Sequence, residues 1–294
     1  MGLGLGTSSS DGVAGWLPTL AVAGAVFAAG VLVAQLARRS AVSKVRRSAV
    51  GIIPARYKSS RFEGKPLALI LGKPMIQRTW EQVKLASALD DVVVATDDNR
   101  IADCCRSFGA QVVMTSESCA NGTERCEEAL RSLKKKYDIV VNIQGDEPLI
   151  DPEIINGLVQ ALQKCPDAKF STAVTDLKPE DAYDPNRVKC VVDQNGYAIY
   201  FSRGIIPYNK NAIANPDFPY FLHLGIMCYD AQFLSLYPKM KPTPLQLEED
   251  LEQLKVLENG HKMKIIKVDH NACGVDVPSD IQKLESLMRA EHLT

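Results

Sequence analysis

Four short stretches hold most of the residues in this chain that could do chemistry. The first, Ala55 to Lys65, contains Arg56, Lys58, Ser59, Ser60, Arg61, Gly64 and Lys65. Four cations, two hydroxyls and a glycine suit a triphosphate, because Arg forks and Lys point charges neutralise phosphate oxygens. The pattern is not that of a P-loop: Lys65 is followed by Pro66, and only one glycine lies within the stretch. Taken alone, it reads equally as a solvated basic loop. In the second stretch the apolar run Val140-Val141-Asn142-Ile143 leads into Gln144, Gly145, Asp146, Glu147 and Pro148. A carboxylate at the end of a buried strand is costly unless it meets a cation or donors. A Mg²⁺ shared with nucleotide phosphates meets that need, and Asp146 is favoured over Glu147 for it. The third stretch, Gly274-Val275-Asp276-Val277-Pro278, offers a second aspartate. Alone it is an ordinary turn, but with Asp146 it makes a two-aspartate metal site of the kind phosphoryl chemistry uses. The fourth, Asn121-Gly122-Thr123-Glu124-Arg125, opens a helix. Its backbone donors and hydroxyl suit a base or an anion, and capping by Asn121 or Thr123 is the plainer alternative.

Strand–helix alternation must position these stretches. Val50–Pro54, Asp91–Ala95, Ala110–Met114, Asp138–Gln144 and Phe170–Val174 read as strands. Pro74–Ala86, Arg100–Phe108, Glu124–Leu133 and Pro152–Lys164 read as helices, with Pro74 in a first turn and Asp151 suited to cap the last of them. The alternation predicts an α/β fold with a mostly parallel central sheet and helices on both faces. In such sheets ligands bind outside the carboxyl ends of the strands, where the Ala55–Lys65 loop falls. Gln194-Asn195-Gly196 between Val188–Asp193 and Tyr197–Phe201 predicts a hairpin, an antiparallel excursion from the wound sheet. A helix is expected over Leu247–Glu258, with Leu247, Leu251, Leu254 and Leu257 as one apolar stripe and Asn259-Gly260 ending it. Ser279–His292 reads as the last helix.

The chain has 294 residues, 46% of them hydrophobic, and a net charge of -1. That is enough for one large α/β domain, and the charge balance gives no sign of a nucleic-acid surface. Eight cysteines without a C-x-x-C pair, and four histidines off zinc spacing, point to reduced thiols in a cytosol-like compartment. Ahead of the catalytic domain (48–294) lies an extension (1–47). Within it, Val13 to Ala37 carries no charge and is followed by Arg38, Arg39, Lys44, Arg46 and Arg47. A span needs about 20 apolar residues, and a basic flank after it fits a signal anchor better than a cleaved signal or a matrix transit peptide. A buried helix is the alternative.

Taken together, the motifs resemble one family. The string GIIPARYKSSRFEGKPL is similar to the opening of the 3-deoxy-manno-octulosonate (KDO) cytidylyltransferases, also called CMP-KDO synthetases. NGTER, NIQGDEP, AYDPNRVKCV, YFSRGIIPY, HLGIM, LEQLKVLE and GVDVP follow in the family's order. The resemblance covers about residues 48–294, and the N-terminal extension is similar to that of plant members. It implies a Rossmann-like nucleotide-diphospho-sugar transferase fold whose β excursion makes a homodimer interface. The implied reaction is CTP plus KDO giving CMP-KDO and pyrophosphate with Mg²⁺, in plants for a cell-wall pectin (rhamnogalacturonan II). Arg56, Lys65, Asp146 and Asp276 would be catalytic, the two aspartates holding Mg²⁺. Ala55, Arg56, Ser59, Lys65, Asn121, Gly122, Thr123, Arg125 and Gln144 would bind CTP, and Arg203, His223, Glu249 and Gln253 the sugar. Plant members imply a mitochondrial membrane for the anchor, with the endoplasmic reticulum as the alternative. Two departures stand out. Phe62-Glu63 replaces Leu-Pro in the loop, so Glu63 is expected to point outward, and Met227 stands where a tyrosine is common. The rivals are a cytidylyltransferase for another acidic sugar such as sialic acid, whose members open with an Arg-Gly-Gly-Ser-like loop, and an inactive membrane-anchored binding protein.

Overall fold

A computed structural model of the protein describes residues 1–2, 48–270 and 274–292. The chain divides into two units, 1–44 and 45–294, and every element named below belongs to the second. The expected anchor at Val13–Ala37 lies outside the described residues. Among the described residues no helix is long and apolar enough to cross a membrane.

The elements in chain order are β1 (Ala49–Ala55), β2 (Leu69–Ile70), β3 (Lys73–Pro74), α1 (Met75–Val83), β4 (Asp91–Thr96), α2 (Asn99–Ser107), β5 (Gln111–Met114), α3 (Gly122–Ser132), β6 (Ile139–Asn142), α4 (Pro152–Lys164) and β7 (Ala168–Leu177). There follow β8 (Lys189–Val192), β9 (Ala198–Ser202), β10 (Tyr220–Asp230), α5 (Ala231–Leu234), α6 (Pro244–Glu249), α7 (Glu252–Glu258), β11 (Lys262–Lys267) and α8 (Pro278–Ala290). The main sheet runs in the order β11-β7-β10-β6-β1-β4-β5. β1 pairs in parallel with both β4 and β6, and β10 runs antiparallel to its neighbours β6 and β7. β1 is buried on both faces because Val50 and Ile52 face one apolar layer while Ala49, Ile53 and Ala55 face the other. A continuous apolar run of this kind marks a central parallel strand.

The α/β expectation holds, and the hairpin forms: β8 and β9 pair antiparallel, with Gly196 at φ 73 in the turn. Asp193 Oδ1 accepts from the amides of Asn195 and Tyr197, so the turn is closed by its own side chain. Three expectations need correction. Pro74 is the N-cap of α1 rather than part of its first turn, and α1 stops at Val83. The predicted helix over Leu247–Glu258 is two helices, α6 and α7, broken at Asp250, which takes a left-handed φ of 51. The Glu258 carboxylate reaches back to the amides of Leu245 and Gln246, so the pair folds on itself. Leu251 and Leu254 are then buried while Leu247 is 67% exposed, which splits the expected stripe. Third, the sequence reading did not anticipate β10 or β11. β10 carries the His223-Leu224-Gly225-Ile226-Met227 motif into the middle of the sheet.

Candidate functional site

β1 and β6 end side by side, Ile52 opposite Asn142, so the loops that follow them share one edge of the sheet. Two adjoining cavities lie there, of about 310 and 320 Å³. Pro54, Ala55, Arg56, Gly122 and Glu252 wall both. Ser59, Arg61, Lys65, Gln144 and Asp146 line the first, Asn121 and Arg125 the second. Each volume is at the small end for a ligand pocket, and together they suit a nucleotide and a second substrate.

The charged centre is built from three loops. Lys65 Nζ lies 2.5 Å from Asp146 Oδ2, 2.9 Å from the carbonyl of Val275 and 3.9 Å from Asp276 Oδ1. Arg61 reaches Asp276 at 3.0 Å. The amide of Val275 donates to the carbonyl of Asp146, which ties the loop after β6 to the turn before α8. Chain positions 65, 146 and 276 therefore meet at one point. Asp146 and Asp276 are oxygen donors of the type Mg²⁺ takes, but here the Lys65 ammonium sits on Asp146, and among the described residues no third carboxylate, histidine or cysteine joins them in a metal-holding group. Next to them, burial and the charge of Asp146 push the Glu147 carboxyl up to about 7. Glu63 is exposed, as expected for its position in the loop.

The helix start at Asn121 is a cap and more. Asn121 Oδ1 accepts from the amide of Glu124. The Arg125 guanidinium is buried and committed to Thr115 Oγ1 at 2.6 Å and Asp97 at 2.7 Å, binding the loops after β4 and β5 together behind the cavity wall. Thr123 Oγ1 lies 2.5 Å from Glu252 Oε2 and 2.7 Å from Tyr229 Oη. Thr123 has one proton to give and the carboxylate can only accept, so Tyr229 donates to Thr123. Asn142 in turn donates to Tyr229 Oη at 3.4 Å. The chain Asn142, Tyr229, Thr123, Glu252 ends on a carboxylate in the wall of both cavities. Burial raises the Glu252 carboxyl above its ordinary value.

Gln144 Nε2 donates to the carbonyl of Gly225 at 3.2 Å. Gly225 has φ 75, at the irregularity where β10 shifts register against β7. A Cβ there would lie 2.5 Å from Gln144 Nε2, so a side chain is strained by the left-handed conformation and would displace the Gln144 amide.

The four expected sugar residues form a second group. Thr172 donates to the carbonyl of Ile226 at 2.6 Å, so its oxygen accepts from His223 Nε2 at 2.8 Å. His223 therefore carries its proton on Nε2, and Nδ1 faces the Gln253 amide at 3.5 Å. Burial lowers its pKa to about 4, so the ring is neutral at physiological pH. Glu249 accepts from Ser202 Oγ and the Arg203 amide. The Arg203 side chain donates to the carbonyls of Glu249, Asp250 and Pro185, holding the end of α6. Beneath it the fully buried Lys189 bonds the carbonyls of Asp184 and Arg203. The Phe201 and His223 rings, 4.9 Å apart, link the two halves of the group.

The sequence reading missed Glu252 and Asn142, and it assigned no role to Arg61 beyond the charge of its loop. The one sequence signal for Glu252 is its place beside Gln253. Among the described residues no disulfide joins any cysteines.

Comparison with known proteins gives a consistent picture. A family model described as cytidylyltransferase matches residues 50–265. The chain is 67% identical to the 3-deoxy-manno-octulosonate cytidylyltransferase, mitochondrial, of Arabidopsis thaliana, over 98% of this chain and 99% of that protein. It is 71% identical to the 3-deoxy-manno-octulosonate cytidylyltransferase of Zea mays, over 84% of this chain and 83% of that one. A solved structure of CMP:2-keto-3-deoxy-manno-octonic acid synthetase complexed with CTP superposes with a TM-score of 0.79 at 36% identity, covering 83% of this chain and 99% of the other.

Proposed function

We infer the function from one premise: this chain belongs to the cytidylyltransferase family. It is a nucleotidyltransferase that activates 3-deoxy-manno-octulosonate with CTP, giving CMP-KDO and pyrophosphate. The observation that carries the residue assignments is the meeting of Lys65, Asp146 and Asp276 at the mouth of a cavity that Arg56 and Arg61 also line.

The sugar's anomeric hydroxyl attacks the α-phosphorus in line, a step that asks mainly for positioning and neutralised charge. Arg56 and Lys65, with Ser59 between them, hold the triphosphate and offset the charge that develops on the leaving pyrophosphate. Asn121, Gly122 and Gln144 contact base and ribose, and the Asn142–Glu252 chain fixes the floor beneath them. Asp146 and Asp276 would hold Mg²⁺, which supplies Lewis-acid polarisation of phosphate and hydroxyl oxygens when bound. His223 is neutral with both ring nitrogens facing protein partners, so it does not take the sugar's proton, and any part it plays in sugar binding is indirect. Arg203, Glu249 and Gln253 are assigned to the sugar on the resemblance alone: none of them lines either cavity, and the Arg203 side chain is held by three backbone carbonyls.

The mitochondrial name of the Arabidopsis relative supports a mitochondrial address. We further propose a single N-terminal anchor at Val13–Ala37, a homodimer formed through the β8–β9 excursion, and delivery of the product to cell-wall pectin synthesis. The experiment on which the activity rests is pyrophosphate release on mixing protein, CTP, KDO and Mg²⁺. Release with KDO and none with sialic acid is expected. Release with sialic acid alone would overturn the sugar assignment.

A further inference from the structure

The loop that carries Arg56, Ser59 and Lys65 is closed on itself and held from outside the site. The amide of Gly64 donates to the carbonyl of Tyr57 at 2.9 Å, so the segment between them is pinched into a ring of chain. Arg56 and Lys65 flank the pinch, one residue outside it on either side, and its geometry sets their spacing. Gly64 takes φ 68, and a Cβ there would stand 3.1 Å from the Tyr57 ring, so the ring lies against the bare backbone of Gly64. The ring is itself covered by Arg100, whose guanidinium carbon lies 3.3 Å from the ring centroid. Arg100 comes from the first turn of α2 and takes no part in either cavity. Its guanidinium is fixed in turn by Asp98, with Nη2 at 2.6 Å and Nε at 3.1 Å from the two carboxylate oxygens. Asp98 is anchored because it caps α2, accepting from the amides of Arg100 and Ile101.

A planar guanidinium on an aromatic face gains both stacking and charge–quadrupole attraction, and a bidentate carboxylate fixes its plane. We propose that Tyr57 and Arg100 are positioning residues for the reaction: the stack Asp98–Arg100–Tyr57–Gly64 holds the loop in the shape that aims Arg56, Ser59 and Lys65 at the triphosphate. This rests on the reading of that loop as the triphosphate site. The stack needs the ring of Tyr57 but not its hydroxyl. It needs a flat cation at position 100, which Lys supplies only in part.

Four variants with full steady-state kinetics test the assignment. R100Q keeps the capping of α2 by Asp98, since the backbone amides remain, and Arg100 is exposed, so the melting temperature stays at the wild-type value. Its KM for CTP is expected to rise about three- to ten-fold, the size of an exposed cation–π contact plus the ordering it provides. Its KM for KDO should stay within about two-fold, since the proposed sugar residues sit on β10, α6, α7 and the turn after β9, away from this loop. Y57L should match R100Q, Y57F should match wild type, and R100K should fall between. A KM for CTP in R100Q within about two-fold of wild type overturns the proposal. Equal rises for both substrates with a lowered melting temperature would overturn it too, since that marks plain destabilisation. If the wild-type protein released no pyrophosphate at all, the reaction assignment would fall rather than the stack.

Discussion

Replacing Asp146 by Asn removes one negative charge from the point where three loops converge and changes little else. Lys65 Nζ would keep its bond to the Val275 carbonyl at 2.9 Å and Asp276 within 3.9 Å, and an Asn oxygen can still accept from it. The side chains of Lys65 and Asp146 are 16% and 25% exposed, so water screens part of the lost attraction. The expected cost to stability is about 1 kcal/mol, or about 2–4 °C of melting temperature for a domain of this size. The cost to catalysis is far larger. The carboxylate is lost as a ligand to the cation that would offset triphosphate charge, and Lys65 keeps only a neutral acceptor where it had a charged one. Losing one preorganised electrostatic group costs about 3–4 kcal/mol of transition-state stabilisation, a factor of about 10²–10³ in kcat. The assay is pyrophosphate release at saturating CTP, KDO and Mg²⁺, with a thermal melt of the same preparation. Turnover within ten-fold of wild type in a folded D146N protein would refute the role given to Asp146. A loss of turnover that only mirrored unfolding would refute the energetic reasoning.

Further tests address other parts of the molecule. E252Q should raise the KM for CTP by about ten-fold at unchanged melting temperature, because the Thr123 hydroxyl loses a charged acceptor; substrate-dependence curves decide it. G225A is expected to cost about 1 kcal/mol from its left-handed backbone and to push the Gln144 amide aside, seen as a lower melting temperature together with weaker CTP binding. His223 gives a pH signature. The unfolded chain takes up a proton near pH 6.5 and the folded one only near 4, so this part of stability is present above 6.5 and lost as pH falls through that window. The loss is on the order of 3 kcal/mol, and H223Q should flatten that segment of a stability-versus-pH curve. Removing residues 1–47 should free the protein from membranes with turnover intact, since every site residue lies between 55 and 276. A truncated protein that still sedimented with membranes would remove the anchor.

What the sequence by itself determined was local and chemical. Short apolar runs fixed β1, β4 and β6, since a strand buried on both faces has to be apolar throughout. Asn195-Gly196 specified its hairpin, and Asp151 and Asn121 their helix caps, because those residues complete backbone hydrogen bonds within a few positions of themselves. The cations of 55–65 and the acids at 146 and 276 were visible by residue type, but each stretch alone read equally as a basic loop or an ordinary turn, and the triphosphate and Mg²⁺ roles stay proposals. Only the tertiary structure decided their meeting. Lys65 and Asp276 are brought to Asp146 because β1 lies beside β6 and the Val275 amide bonds the Asp146 carbonyl. Glu252 escaped notice because its importance depends on Thr123, far away in the chain and turned toward it only when β10 enters between β6 and β7. The break at Asp250 escaped for the same reason: the leucine spacing of 247–257 is helical, but Glu258 folding back and Arg203 gripping the end of α6 are long-range contacts that no periodicity records. The Ala55–Lys65 loop shows both sides. Its charges were legible in order, but its shape depends on an arginine from a different helix resting on Tyr57, a contact between surfaces that adjoin only after folding.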